Sequence, residues 1–210
     1  MDNLAEDKSL FSIPKRQIFL LMCLCTLTLL FIKKSMIENE TPAFEFMSDP
    51  AHRSQLLVRG ALQYISIPVI YLWKFTVLGF VIWIGCFLFG YRVTFSQCWG
   101  VVLVAEFIFI VPELIKIFWF FVVQPDPNFY DIQAFYPLSV MNLVDYQELP
   151  SRFAYPFKAL NLFEPVYWWL LALGIKHFAR RGMKPAWMIV LAFYVPVFIL
   201  WLLFYMVVYK

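Results

Sequence analysis

"VVLVAEFIFIVPELIKIFWFFVV", Val101 to Val123, decides how this chain folds. It is long and apolar enough to cross a bilayer core, which takes about 20 residues of helix. It also holds Glu106, Glu113, Lys116 and a helix-breaking Pro112. A charge at mid-membrane costs about 2.5–3.5 kcal/mol on the insertion scale, so each of these groups must face protein or water and find a partner.

The rest of the chain agrees with a membrane setting. Hydrophobic residues make up 62% of the 210 positions and charged residues only 15%, with a mean hydropathy of +0.73. Soluble domains carry about 45–50% apolar and about 25% charged residues. The net charge of +3 is small and scattered, without the basic stripe that nucleic-acid surfaces use. Partners are therefore the lipid bilayer and other membrane proteins, not nucleic acid. Four cysteines (Cys23, Cys25, Cys86, Cys98) and two histidines (His52, His177) make no CxxC or HExxH pattern. They predict no metal, no cofactor and small buried thiols.

Five apolar runs emerge: Ile18–Ile32, Ile65–Phe89, Cys98–Val123, Leu162–Phe178 and Trp187–Tyr209. Each must be helical, because unpaired backbone is intolerable in lipid and none shows the alternation of a barrel strand. The fold class is thus all-α, a polytopic helical membrane protein with about five transmembrane helices. Residues 1–64 form an N-terminal segment with the first span and an interfacial connection. Residues 65–210 form a four-helix core. In the first connection, Asp49 as N-cap and Pro50 at the first helical position predict an interfacial helix leading into the second span. Five prolines between Pro125 and Pro156 predict an irregular third connection at headgroup depth. Asn161 as N-cap and Glu164 three residues on predict a capping box for the fourth span.

Orientation rests on the basic residues. With the N-terminus inside, Lys8, Lys15, Arg16, Arg92, Lys176, Arg180, Arg181 and Lys184 lie inside. Lys33, Lys34, Arg53, Arg59, Arg152, Lys158 and Lys210 lie outside. The counts nearly balance. The acid-free turn Lys176–Lys184 tips the preference to a cytoplasmic N-terminus.

The charged residues of the spans form one group: Lys74, Glu106, Glu113 and Lys116. Glu106 and Glu113, seven residues apart, share a helical face. Counting about 1.5 Å per residue from the short turn Gly90–Gln97 puts Lys74 level with Glu113, an expected ion pair. Lys116 is expected to reach the far interface. Glu106 is left without a partner. These groups either fix the register of two spans or line an ion path with Pro112 opening the helix. No Ser/Lys, His/Asp or Gly-x-Ser-x-Gly arrangement points to a catalytic residue, so the chain reads as a non-enzyme.

The order of features is similar to a known family. A short turn follows the second span and a proline-containing connection follows the third. Then comes "ALNLFEPVYWWLLALGIKHFARRGMKPAWMIV" (Ala159–Val190), while "FSQCWGVVLVAEFIFIVPELI" (Phe95–Ile115) has a proline-bearing third span. These resemble the bacterial branch of the Yip family of five-span proteins, over roughly Ile65–Tyr209. The resemblance implies no catalytic signature. It implies a bacterial inner-membrane location, or Golgi/ER for the eukaryotic relatives. The function expected is an organising or partner subunit of a membrane complex. The alternative is a transporter or permease subunit using Glu106, Glu113 and Lys74.

Overall fold

The computed structural model describes residues 14–35, 50–124, 127 and 129–209, with side chains of 50–60 and 129–130 outside that description. Among the described residues the chain is helical throughout, and a lone antiparallel bridge joins Ser139 to Asn161. Three helices are long and apolar enough to cross a membrane: Lys15–Lys33, Ala61–Leu88 and Met183–Val208.

Helix α1 spans Lys15–Lys33. Helix α2 runs unbroken from Pro50 to Leu88, so the expected interfacial helix and second span are one rod, continuous through positions 64 and 65. The expected cap Asp49 lies outside the described residues. Pro68 sits inside α2, as membrane helices tolerate.

The turn after α2 is set by local chemistry. Gly90 adopts φ +74, its N–H donates to the Phe87 carbonyl and the Tyr91 N–H to the Cys86 carbonyl. This is the Schellman end that glycine permits. Helix α3, Phe95–Ala105, then opens on a full capping box. The Gln97 N–H donates to Thr94 Oγ1 (3.3 Å), and the Thr94 N–H donates to Gln97 Oε1 (2.9 Å).

Two later helices are interrupted, each about one turn before a proline. A 3₁₀ segment, Glu106–Phe109, separates α3 from α4 (Ile110–Val122). Pro112 supplies no N–H to the Ile108 carbonyl and its ring crowds that group, so the chain tightens there. The last span is α8 (Met183–Ile189), a π segment Val190–Tyr194, and α9 (Val195–Val208). Pro196 has the same relation to the Ala192 carbonyl, and there the helix widens instead.

The third connection holds α5 (Phe129–Ala134), a 3₁₀ turn and α6 (Ser151–Ala159). It is tied down at several places. Leu138 and Val140 pair by backbone with Leu162 and Leu160. Phe135 packs on Trp119 and Phe120 of α4, with ring centroids 5.2 and 5.4 Å apart. Tyr155 of α6 stacks on Tyr205 of α9 at 4.6 Å and accepts from Trp201 Nε1 at 3.1 Å. The connection is therefore packed along α4 and α9.

The core lies where α2, α3, α7 (Phe163–Ala179) and α8 meet, with Phe75, Ile82, Val102, Leu103, Leu171 and Ile189 buried. Close approach of α7 to α3 depends on Gly174, whose added Cβ would lie 2.4 Å from Val101 Cγ1. Lys15 of α1 bonds to Ser96, which sets the start of α1 beside the α2–α3 turn.

Candidate functional site

Lys74 projects from the middle of α2 and pairs with Glu106 on the 3₁₀ segment. Glu106 is almost fully buried at 3% side-chain exposure, while the Lys74 stem keeps 40%. The ammonium also sits 5.3 Å from the centre of the Phe109 ring, a favourable cation–π distance. The residue expected to lack a partner is thus the one Lys74 takes, and the expected Lys74–Glu113 pair does not form.

Two physical causes correct that expectation. Helix α3 starts at Phe95 rather than Cys98, which moves the level facing Lys74 back to about Phe109. In addition, a 3₁₀ residue advances about 120° instead of about 100°, so four of them rotate Glu113 by about 80° from its all-α position and leave it about 60° off the face of Glu106. Glu113 instead acts electrostatically on Tyr136 and Lys158 from the third connection.

Lys116 is also placed differently from the expectation. It is buried and donates to the carbonyls of Ile132 (2.5 Å) and Phe135 (2.8 Å). A cation there satisfies the last carbonyls of α5, so Lys116 anchors the third connection rather than reaching the interface.

The capping expectation divides. Asn161 Oδ1 accepts from the N–H groups of Phe163 (2.9 Å) and Glu164 (3.2 Å), so it caps α7. The reciprocal half is absent: Glu164 turns inward, is buried, and its Oε1 accepts from Tyr194 Oη (2.7 Å) and Trp168 Nε1 (3.1 Å). Two strong donors in the bundle outcompete one backbone N–H at its edge.

Tyr167 joins these two centres. Its ring lies 5.2 Å from Phe109 and 5.3 Å from Tyr194, centroid to centroid. The resulting row runs Lys74, Phe109, Tyr167, Tyr194, Glu164. Two of its atoms, Glu106 Oε2 and Tyr167 Oη, are buried without a hydrogen-bond partner among the described residues. Native proteins leave few such groups. Tyr71 adds a link to α1 through Thr26 Oγ1 at 3.0 Å.

On the side of the third connection the field is mixed. Burial, then Glu113, Glu164 and Glu106, push the Tyr136 phenol above its usual range. Burial and Lys33 push Lys158 below the usual lysine range, with Glu113 opposing. Lys158 also stands over the Tyr146 ring at 5.4 Å.

Tyr71, Tyr167, Trp168 and Tyr194 were not legible as site residues. The signals present were Pro112, six residues after Glu106, Pro196, two residues after Tyr194, and the four-residue spacing of Glu164 and Trp168. All four cysteines are free thiols. Comparison with protein families, curated proteins and solved structures finds no match.

Proposed function

We propose that this chain is a polytopic inner-membrane protein of about five spans, of Yip-like type, acting as a non-enzymatic organising or partner subunit of a membrane complex. Beyond the three long apolar helices, the interrupted helix Phe95–Val122 and the 17-residue α7 supply the other two spans. The observation that carries the reading is the use made of the interior charges. Lys74 is spent on Glu106, Lys116 on the ends of α5, and Glu164 on Tyr194. Such pairing fixes helix register, the best-attested use of buried polar groups. The basic turns beside Arg92 and Arg180 and the start of α1 favour one end of the bundle as the cytoplasmic one. The test is purification from native membranes in mild detergent. A companion retained in fixed stoichiometry through two chromatographic steps is expected, and a chain that always elutes alone removes the subunit role.

A second reading, a transporter or permease subunit, is favoured by one observation. Both interrupted helices deliver their polar residue, Glu106 or Tyr194, to the same buried row, and one carboxylate oxygen there stays unpaired. Broken helices at mid-membrane are where transporters bind coupling ions. Flux into proteoliposomes that Glu106→Gln abolishes, with assembly intact, supports it.

A further inference from the structure

We propose that Glu106 and Glu164 together hold one exchangeable proton. This rests on the second reading and names the proton as the species bound.

Charge balance leads to it. The row holds two carboxylates, Glu106 and Glu164, both buried, against one ammonium, Lys74. Groups facing it from the packed elements are Tyr71 on α2, Glu113 on α4, Tyr136 and Tyr155 on the third connection, and Tyr167 and Tyr194. None of these adds a cation, and the other buried cation, Lys116, is held by the carbonyls of Ile132 and Phe135, so the row itself is one positive charge short of neutrality. A buried uncompensated carboxylate is among the costliest groups a protein can hold. One positive charge taken up beside Glu106 or Glu164 removes that cost.

The free atoms select a proton over a metal ion. Among the described residues, Glu106 Oε2 and Tyr167 Oη are the two buried side-chain polar atoms without hydrogen-bond partners. Hard cations want six or more oxygens, and among the described residues no group of three acidic, cysteine or histidine side chains could hold one. A proton needs a single oxygen, with a hydroxyl or water to pass it on. Taken up on Glu106 Oε2, it leaves a neutral carboxyl and frees Lys74. Transferred to Glu164, whose Oε1 accepts from Tyr194 Oη, it leaves a neutral carboxyl there and restores the Lys74–Glu106 pair.

The test is infrared difference spectroscopy of the purified chain in lipid nanodiscs at neutral pH, in water and in deuterium oxide. One carboxylic-acid C=O band is expected, shifted by deuterium and displaced by Tyr194→Phe, which removes the hydroxyl that donates to Glu164. Glu164→Gln should remove it or move it to Glu106. A folded wild type without the band overturns the proposal, as does a band unchanged in both Glu106→Gln and Glu164→Gln. A band that vanishes on replacing choline chloride by sodium or potassium chloride also overturns it, since a metal ion then occupies the site. The same preparation in proteoliposomes separates the two ideas. The band without Glu106-dependent flux keeps the proton site and removes the transport reading; flux without the band does the reverse.

Discussion

At the residue scale the Lys74–Glu106 pair is the test case for interior charge. Removing one partner leaves the other buried and unpaired, which costs about 3–5 kcal/mol, whereas replacing both with apolar residues is often close to neutral. Lys74→Met and Glu106→Leu should each lower stability strongly, and the double variant should recover most of the loss. A double-mutant cycle by denaturation in mixed micelles reads this. Additive losses would mean that the pair contributes nothing. Lys158, outside the spans, offers a pH test. Burial and Lys33 disfavour its charged form. The folded state therefore binds fewer protons than the unfolded one between the lowered value and the ordinary lysine range, so stability rises with pH across that window. Lys158→Gln should be stabilising at neutral pH, with the gain vanishing as pH rises through that window. Melting temperatures of both proteins across alkaline pH check it. A constant difference would contradict the assignment.

Elements behave as their ends and their glycines dictate. The Thr94 capping box and the Gly90 turn rest on residues within a few positions of each other, which is why such features can be read from a sequence. "TFSQ", inside the expected short turn Gly90–Gln97, is a capping-box signature. Gly174 differs, because its role comes from Val101 on another helix. Gly174→Ala should cost about 1–3 kcal/mol by overpacking, and Val101→Ala in the same chain should return much of it. Thermal unfolding in detergent decides; a neutral Gly174→Ala would show that α3 and α7 can separate freely. The proline-linked interruptions were half visible. Pro112 and Pro196 mark where a helix must change, but not whether it tightens to 3₁₀ or widens to π. That choice depends on what packs against each side.

For the whole molecule, the alternation of helices places Arg92 and Arg181 at one end and Leu143, 84% exposed, at the other. Arg92→Cys and Arg181→Cys should react with an impermeant maleimide from one side of intact vesicles, and Leu143→Cys only from the opposite side. Equal labelling of all three from one side would sink a bundle in which α2, α3–α4, α7 and α8–α9 alternate in direction. The broad outward faces of α2 and α9, with Trp73, Phe80, Trp201 and Phe204 exposed, suit lipid contact under the same arrangement.

Sequence by itself determined the helical character of this protein, the presence of helices long and apolar enough to cross a membrane, the Asn161 cap of α7 and the presence of interior charge. Those depend on hydropathy summed over about 20 residues and on caps a few residues long. Only the tertiary structure decided that Lys74 meets Glu106 rather than Glu113, that Lys116 holds α5, and that Glu164 faces Tyr194. Each of those depends on a rotation accumulated through a non-α segment or on a neighbour far along the chain. A few tens of degrees there selects which side chain finds which partner.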